Sequence, residues 1–419
     1  MHSQFTQQIL DSVPGFDFVA AHFECERDRY SADNPTGFVN LGSAQNFLMS
    51  PLVHDELPDV QWALEDASYQ SFSGTDGCRT AVAKYLQSIT HNVTIDPNNL
   101  VIGNGLVGLL EALSVSLLNA NESVLIPTPV FPGLVNAITT RTSGKVTFVP
   151  ATAANGYRIT PHEIELALLN NRDAERSVRA ILICSPGNPI GQVFTKSEIE
   201  AFVQVADAFD CTLIVDEIYA SSCFDDAEFY SAASVPSDRV FVLGGMSKDF
   251  GIAGYATGWM HTTNQPVLAA MRKQSHYFRL PAPIQSAMQS ILELPQVPDM
   301  LEKNRNQLTA AFQYSNAALQ SMDVPVVATV AGLVVWLDLR KHLKEESEAG
   351  QLQLYRFLLE EHRVHLSPGN GFYCSTPGYF RMCFSHPEQV MQEGLKRLRD
   401  GLAKFALSKS TRQTAKVSL

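Results

Sequence analysis

The sequence predicts an α/β fold built around a mainly parallel sheet, followed by a smaller α+β domain. Between about residues 100 and 260, short runs rich in Val, Ile and Leu alternate with amphipathic helical stretches. Each run is nearly continuous in hydrophobicity, which is typical of strands that are buried on both faces. The 419 residues, 45% of them hydrophobic, are sufficient for two or three domains with large cores.

The individual elements follow one another in the order that a parallel sheet requires. The predicted strands are residues 100–102, 123–126, 145–149, 180–184, 212–215 and 240–243. Two intervening helices begin with a capping box, in which Thr160 and Thr195 are each followed three positions later by a glutamate. The smaller domain is predicted to contain a long helix at 299–320, a strand at 332–339, a helix near 349–362 and a strand around 379–384.

Changes in composition along the chain divide it into four segments. Residues 1–50 are predicted to form an irregular arm and part of the small domain, with a turn at Asn34-Pro35-Thr36-Gly37. Residues 51–295 form the large domain and 296–407 the small C-terminal domain. The polar segment 408–419 is predicted to be a disordered tail.

Charge and composition exclude several classes of protein. With 31 Lys and Arg against 43 Asp and Glu, the net charge of −12 argues against nucleic acid or an anionic membrane as partner. No run approaches the ~20 apolar residues of a membrane span. The seven cysteines are scattered, and the eleven histidines form no HxH or HExxH pair. We therefore expect a cytoplasmic protein without a metal site.

Three segments place chemically useful side chains just after predicted strands. Lys248 lies in a glycine-rich turn, where desolvation can free its amine for Schiff-base chemistry. Asp216 ends another strand, where a buried carboxylate needs a cation or a donor. Asn188 follows a third strand in a proline-rich turn. Taken singly, each residue has an ordinary alternative: a solvated lysine, a capping carboxylate or a turn asparagine.

A glycine-rich segment at residues 103–108 also follows a strand and begins a helix. Its GxGxxG pattern is typical of dinucleotide sites. However, no acidic residue ends a second strand about 20 positions later, as binding of the ribose would require. NAD is therefore the weaker interpretation.

In this order and spacing, the segments resemble the fold-type I enzymes that use pyridoxal 5′-phosphate (PLP). The resemblance is closest to the class I and II aminotransferases and, within them, to the 1-aminocyclopropane-1-carboxylate synthase-like group. Residues 39–46, 126–133 and 377–384 also carry it. The resemblance implies an aspartate aminotransferase-like fold with a seven-stranded sheet, a large PLP-binding-type domain, a small-molecule substrate and a homodimer.

The resemblance also implies a role for individual residues. Lys248 would form the Schiff base with PLP and move protons at the substrate α-carbon, while Asp216 would keep the pyridinium nitrogen protonated. Tyr219 and Asn188 would bind the phenolate oxygen of the cofactor. Further cofactor contacts are implied for Phe131, which would stack on the ring, and for Ser247, Leu106 and Val107. Substrate contacts are implied for Arg381, which would bind a carboxylate, and for Ala44, Phe72 and Arg279.

The sequence departs from the family pattern where the phosphate should bind. Ala256 stands at the position of the arginine that usually pairs with the phosphate, and Gly245, Val107 and Phe72 replace hydroxyl residues. Contacts of these kinds contribute about 0.5–3 kcal/mol each, so their combined loss weakens phosphate binding. Arg279 is either a replacement charge near the subunit interface or an ordinary surface arginine.

Three functions remain open at this point. The chain is a PLP-dependent transferase or lyase acting on an amino acid or amine, or a PLP-independent enzyme that uses the emptied pocket for cyclisation, isomerisation or condensation, or a non-catalytic scaffold. Gln45 stands where the cyclopropane-forming synthases have glutamate, which argues against their activity. Aromatic residues around the site favour a bulky substrate; they are Phe72, Phe131, Tyr255, Tyr277 and Phe278.

Overall fold

A computed structural model of the protein describes residues 6–7, 17–56, 64–90, 93–142, 144–173, 177–224 and 227–416. The chain divides into two compact units. The large unit comprises Asn46–Asn306 and Val330–Gly332, and the small unit comprises the chain up to Gln45, Gln307–Thr329 and the chain from Leu333 onward.

Short strands and longer helices alternate along the chain. The strands are β1 (Val39–Asn40), β2 (Leu100–Asn104), β3 (Ser123–Thr128), β4 (Lys145–Pro150), β5 (Val178–Cys184), β6 (Thr212–Asp216), β7 (Val240–Gly244), β8 (Thr257–His261), β9 (Val334–Asp338), β10 (Val364–His365), β11 (Ser367–Pro368) and β12 (Tyr379–Cys383). The helices are α1 (Phe18–Arg27), α2 (Met49–Glu56), α3 (Asp76–Ile89), α4 (Gly105–Leu117), α5 (Pro132–Thr139), α6 (Pro161–Asp173), α7 (Lys196–Ala208), α8 (Gln265–Phe278), α9 (Ala282–Leu292), α10 (Val297–Ser321), α11 (Glu348–His362) and α12 (Glu388–Lys416).

A seven-stranded sheet forms the centre of the large unit. Its strand order is β2-β8-β7-β6-β5-β3-β4, and β8 alone among these seven strands runs antiparallel to its neighbours. One apolar cluster packs β3, β5, β6 and β7 against α6 and α7, with Phe202 among its fully buried side chains. A second cluster includes Trp259 of β8 and residues of α2, α3 and α9. Because the other six strands are parallel, their carboxyl ends meet at one edge.

The predicted fold class is confirmed, with one strand of the seven-stranded sheet missed. All six predicted strands are present and are one or two residues longer than expected. Strand β8 was missed because Gly258 interrupts its apolar pattern. A Cβ at Gly258 would lie 2.6 Å from the carbonyl carbon of Gly105, so only glycine lets this strand pass the start of α4. Both capping boxes are also confirmed, with Thr160 and Thr195 paired to the glutamates three positions later.

The small unit contains a three-stranded antiparallel sheet, β11-β12-β9, and the parallel pair β1-β10. The expected turn at Asn34 is present, since Gly37 N–H donates to its carbonyl at 3.1 Å. The prediction of an irregular arm at 1–50 was wrong for α1. Asp17 begins that helix by accepting from the amides of Val19 and Ala20, both at 2.9 Å.

The last helix is longer than expected. Helix α12 continues to Lys416, whereas disorder was predicted for 408–419. Residues 417–419 lie outside the part of the chain that the structure describes. The segment 408–416 contains no proline or glycine to end the helix, so its polar composition is compatible with helical backbone. In the part of the chain that is described, no helix is both long and apolar enough to cross a membrane.

Candidate active site

The carboxyl edge of the large sheet brings several predicted site residues together. Asp216 is the last residue of β6 and lies opposite Cys184, the last residue of β5. Lys248 lies four residues beyond the end of β7, which pairs with β6. The turn that contains Asn188 leaves β5 at the same edge. Parallel pairing therefore brings these three segments to one edge of the sheet.

Asp216 is a buried carboxylate with few polar neighbours. The backbone N–H of Ile218 donates to its Oδ1 at 3.0 Å, and Cys184 Sγ lies 3.9 Å from its Oδ2. Burial raises the pKa of Asp216 to about 6, although the Ile218 amide and the positive charge of Lys248 partly oppose that rise. A cation reaching this carboxylate would stabilise its ionised form.

Tyr219 and the Asn188 turn both lie against Gly332. A Cβ at Gly332, where φ is +81°, would lie 3.9 Å from Tyr219 Cδ1 and 3.9 Å from the carbonyl oxygen of Gly187. Tyr219 is 2% exposed, and Asn188 is half-buried. The structure therefore places the phenol and the amide in neighbouring segments near the end of β6.

The turn that carries Lys248 is anchored by the residue that follows it. Asp249 is buried and accepts hydrogen bonds from the Ser221 amide at 2.8 Å and from Ser222 Oγ at 2.5 Å. Asn46 Nδ2 donates to the Lys248 carbonyl at 3.0 Å. These contacts hold the half-buried lysine against the segment that continues from β6.

Sequence reasoning missed Asp249 and Asn46 as positioning residues. Asp249 stands directly after the candidate lysine, and an acidic side chain in a glycine-rich turn is a detectable signal. Asn46 lies about 200 positions away in the sequence, and nothing in the sequence indicates that it meets this turn.

Phe131 precedes helix α5 and is half-buried. A Cβ at Gly133 would overlap the Phe131 ring, so glycine allows the ring to fold over the first turn of the helix. The preceding residue, Val130, lines a cavity of about 60 Å³ together with Asn188 and Cys184. This segment therefore borders the same edge, while stacking of Phe131 on a cofactor stays a prediction.

The start of α4 lies at this edge as well. Gly105 adopts a φ of +80°, and the side chain of Asn104 makes no capping hydrogen bond with the helix. Leu106 is buried, whereas Val107 is 43% exposed. Ala256 lies beside this turn, because a Cβ at Gly105 would be 3.6 Å from the Ala256 carbonyl oxygen.

Ser247, the residue before the candidate lysine, is half-buried. It follows Met246, whose amide donates to Thr257 Oγ1 at 3.2 Å. This bond ties the lysine turn to the first residue of β8. A contact between Ser247 and a cofactor remains a prediction.

In the small unit, Arg381 lies buried in the middle of β12. Its Nη2 donates to the Gly42 carbonyl at 2.6 Å, and its guanidinium lies 4.7 Å from the centre of the Phe372 ring. Burial and the nearby Arg381 charge lower the pKa of His365 to about 3, so this histidine is neutral at pH 7. Ala44, two residues after Gly42, is also buried.

Phe72 and Arg279 form a separate cluster in the large unit. The Arg279 guanidinium lies over the Phe72 ring at 4.8 Å, and the ring of His276 lies 5.2 Å from that of Phe72. Tyr69 and Tyr277 are 88% and 84% exposed. The sequence did not indicate that this cation and these aromatic rings come together in one cluster.

Glu217, next to Asp216, is a buried carboxylate whose role is structural. It accepts from Ser231 Oγ and from the Ala232 amide, both at 2.7 Å. Burial raises the pKa of Glu217 to about 8. Among the described residues, no group of three or more His, Cys, Asp or Glu side chains is arranged to hold a metal ion.

The raised pKa of Glu217 makes stability depend on pH. The unfolded chain loses this proton near its ordinary pKa of 4.5, whereas the folded chain keeps it to about pH 8. The free energy of unfolding therefore falls as pH rises through that window. We expect Glu217→Gln to reduce the fall between about pH 5 and pH 8 by on the order of 3 kcal/mol, measured by urea denaturation. Glu228→Gln, at an exposed glutamate, is the control; an equal effect of both variants would contradict the assignment.

Comparison with known proteins identifies what the chain is similar to. A family model described as Aminotransferase class I and II matches residues 36–398. The 1-aminocyclopropane-1-carboxylate synthase 6 of Arabidopsis thaliana is 28% identical over 395 residues, which cover 89% of this chain and 80% of that protein. The 1-aminocyclopropane-1-carboxylate synthase-like protein 1 of Takifugu rubripes is 29% identical over 90% of this chain and 63% of its own length. A double mutant of Thermus thermophilus aspartate aminotransferase has the same fold, with a TM-score of 0.80 at 19% identity over 96% of this chain and all of that one.

Proposed function

The chain belongs to the class I and II aminotransferases, PLP-dependent enzymes with transferase or lyase chemistry, and we propose that it acts on an amino acid or amine through Lys248. The single observation that supports this assignment most strongly is that Asp216 and Lys248 lie at one edge of the sheet, near enough for the Lys248 charge to lower the Asp216 pKa. The family assignment does not favour the alternatives of a PLP-independent enzyme or a non-catalytic scaffold.

The residues at this edge fit the ring of the cofactor. The buried Asp216 carboxylate has an elevated pKa and accepts one backbone amide, so a protonated ring nitrogen would provide the charge that it needs. Lys248 is near enough to lower the Asp216 pKa by its charge. At the phosphate end, backbone amides of the first turn of α4 would hold an anion. Ala256, whose backbone carbonyl lies beside Gly105 at the start of that turn, carries no charge.

When bound, PLP supplies an electron sink that stabilises negative charge at the carbon next to the substrate amine. Lys248 would hold the cofactor covalently through Nζ, and its released amine would remove and return the proton at that carbon. Asp216 would keep the proton on the ring nitrogen. Tyr219 and Asn188 would donate hydrogen bonds to the phenolate oxygen. Asp249 would keep the lysine turn in place through Ser221 and Ser222.

Arg381 is proposed to bind the carboxylate of an amino-acid substrate. Its guanidinium carries five N–H donors, so it can hold the Gly42 carbonyl and also present a pair of donors to a carboxylate. The neighbouring His365 is neutral at pH 7 and adds no competing positive charge. Ala44, on the segment whose carbonyl Arg381 binds, is proposed to line the same substrate position.

The remaining contacts predicted from the sequence are part of the same proposal. Phe131 would cover the ring, and Ser247, Leu106 and Val107 would lie near the phosphate end. The exposed cluster of Phe72 and Arg279 supports a homodimer, because aromatic residues and arginine are enriched at interfaces and these side chains would be covered by a second copy. A cytoplasmic location is proposed because the seven cysteines are scattered along the sequence and show no disulfide framework in their spacing.

A mass spectrum tests the proposal directly. The full-length protein is incubated with PLP, treated with borohydride to make the attachment permanent, and digested. We expect one modified peptide, with the added mass on Lys248 and not on the exposed Lys273. Modification spread evenly over surface lysines, or amino-acid turnover that is unchanged in protein freed of PLP, would contradict the proposed function.

A further inference from the structure

Ala256 occupies a defined position between the lysine turn and the start of α4. Strand β8 lies between β2 and β7 and runs antiparallel to both, so its first residue, Thr257, lies at the edge where its neighbours end. Thr257 pairs with Asn104, the last residue of β2. Ala256, with a φ of +49°, therefore lies directly beside Gly105.

Apart from Asn104, the side chains on the first turn of α4 and at residue 256 carry no polar group. The first residues of α4 are Gly105, Leu106 and Val107, and the neighbour across the sheet edge is Ala256. The Asn104 side chain lies over the helix, since a Cβ at Gly108 would overlap its Oδ1. Backbone amides and the neutral Asn104 side chain are thus the polar groups of this turn, and none of them carries a positive charge.

Packing leaves no room for a side chain at Gly245, the residue that follows β7 and lies against Thr257 of β8. A Cβ there would overlap the carbonyl oxygen of Thr257 and lie 3.2 Å from Cδ1 of Ile218. A serine or threonine at residue 245 would therefore require the backbone of β8 to move. The missing hydroxyl is a consequence of how β7 and β8 pack, and a single substitution cannot restore it.

We propose that this site recognises the pyridine ring and aldehyde of its cofactor but gains little from the phosphate, so that unphosphorylated pyridine aldehydes bind nearly as well as PLP. The inference rests on the proposed function. The ring has the buried Asp216 and Lys248 as charged partners. The phosphate would meet backbone amides, the Asn104 side chain and the Ser247 hydroxyl, while the first turn of α4 and residue 256 provide no cationic side chain. A doubly charged group that must give up water without a cationic partner gains little net affinity.

The test compares two ligands that differ in the phosphate. 5′-Deoxypyridoxal is the probe, because it has neither the phosphate nor the hydroxyl that closes pyridoxal into a hemiacetal. Dissociation constants are measured from the visible absorbance of full-length protein stripped of cofactor. We expect the constants for PLP and 5′-deoxypyridoxal to differ by less than about tenfold, because helix-terminus amides favour an anion only modestly.

Restoring a cation beside α4 should create the missing preference. Ala256→Arg is expected to tighten PLP binding by about 10- to 100-fold, as one charge-assisted contact does, and to leave 5′-deoxypyridoxal within about threefold. Thr263→Arg adds the same charge at an exposed residue beyond the opposite end of β8 and is the matched control, expected to change neither constant. Thermal unfolding of both variants shows whether they are folded.

The outcomes separate this inference from the proposed function. PLP binding more than 100-fold tighter than 5′-deoxypyridoxal in the unmodified protein would overturn the inference and leave the proposed function intact. An unchanged preference in folded Ala256→Arg would likewise overturn the placement of the phosphate beside α4. If neither ligand produces an absorbance band that Lys248→Ala removes, the proposed function fails and the inference fails with it.

Discussion

Replacement of Lys248 by alanine is expected to lower turnover of an amino-acid substrate by roughly 10⁴-fold, even with PLP in excess. The variant loses the amine that attaches the cofactor and also the group that moves the proton at the reacting carbon, and proton transfer by a positioned side chain alone contributes up to about 10⁴-fold. The steady-state rate at saturating substrate measures the loss. The visible absorbance of bound PLP should disappear in parallel.

Lys273→Ala is the matched control for this experiment. Lys273 is exposed on α8, so its removal takes away one amine without changing the sheet edge. We expect its turnover to stay within about twofold of the unmodified protein. Substantial turnover in folded Lys248→Ala would show that another group performs the proton transfer.

Arg381→Lys is expected to lower kcat/KM for carboxylate-bearing substrates by about 30- to 150-fold, mainly through KM. Lysine keeps the positive charge but cannot present two parallel N–H groups to a carboxylate. The loss corresponds to about 2–3 kcal/mol of binding free energy. Because the lost contact is with the substrate carboxylate, an amine substrate without a carboxylate should be converted at nearly the original efficiency.

Arg340→Lys provides the control in the same unit. Arg340 is partly exposed and pairs with Asp338 at the end of β9. The substitution is the same as in Arg381→Lys, but it affects a structural ion pair. We expect unchanged kcat/KM for both kinds of substrate. Equal losses for acid and amine substrates in Arg381→Lys would indicate a general disturbance of β12, and the role in carboxylate binding would be wrong.

Much of the large unit could be predicted because its strands are locally encoded. Runs such as Ala180–Cys184 within β5 are continuous in apolar residues, and a polar residue at the end of such a run must lie at the sheet edge. This reasoning located Asp216 and Lys248 at the same edge. The spacing of threonine and glutamate likewise located the start of α7, because a capping box involves residues only three positions apart.

Features that depend on distant segments could not be predicted in this way. Strand β8 contains Gly258, and only the tertiary structure shows that a side chain there would overlap the backbone of Gly105. The anchoring of the lysine turn joins Asp249 to Ser221 and Ser222, and Asn46 reaches the Lys248 carbonyl from about 200 positions away. None of these contacts produces a periodic pattern of residues from which it could be predicted.

The sequence by itself determined which chemical groups are present: an amine at Lys248, a carboxylate at Asp216, a guanidinium at Arg381 and a methyl group at Ala256. Only the tertiary structure decided how those groups behave. Burial by segments far apart in the chain raises the Asp216 pKa, because desolvation depends on everything packed around the carboxylate. The same packing closes Gly245 against Thr257, so the absence of a side chain at residue 245 follows from the fold as well as from the sequence.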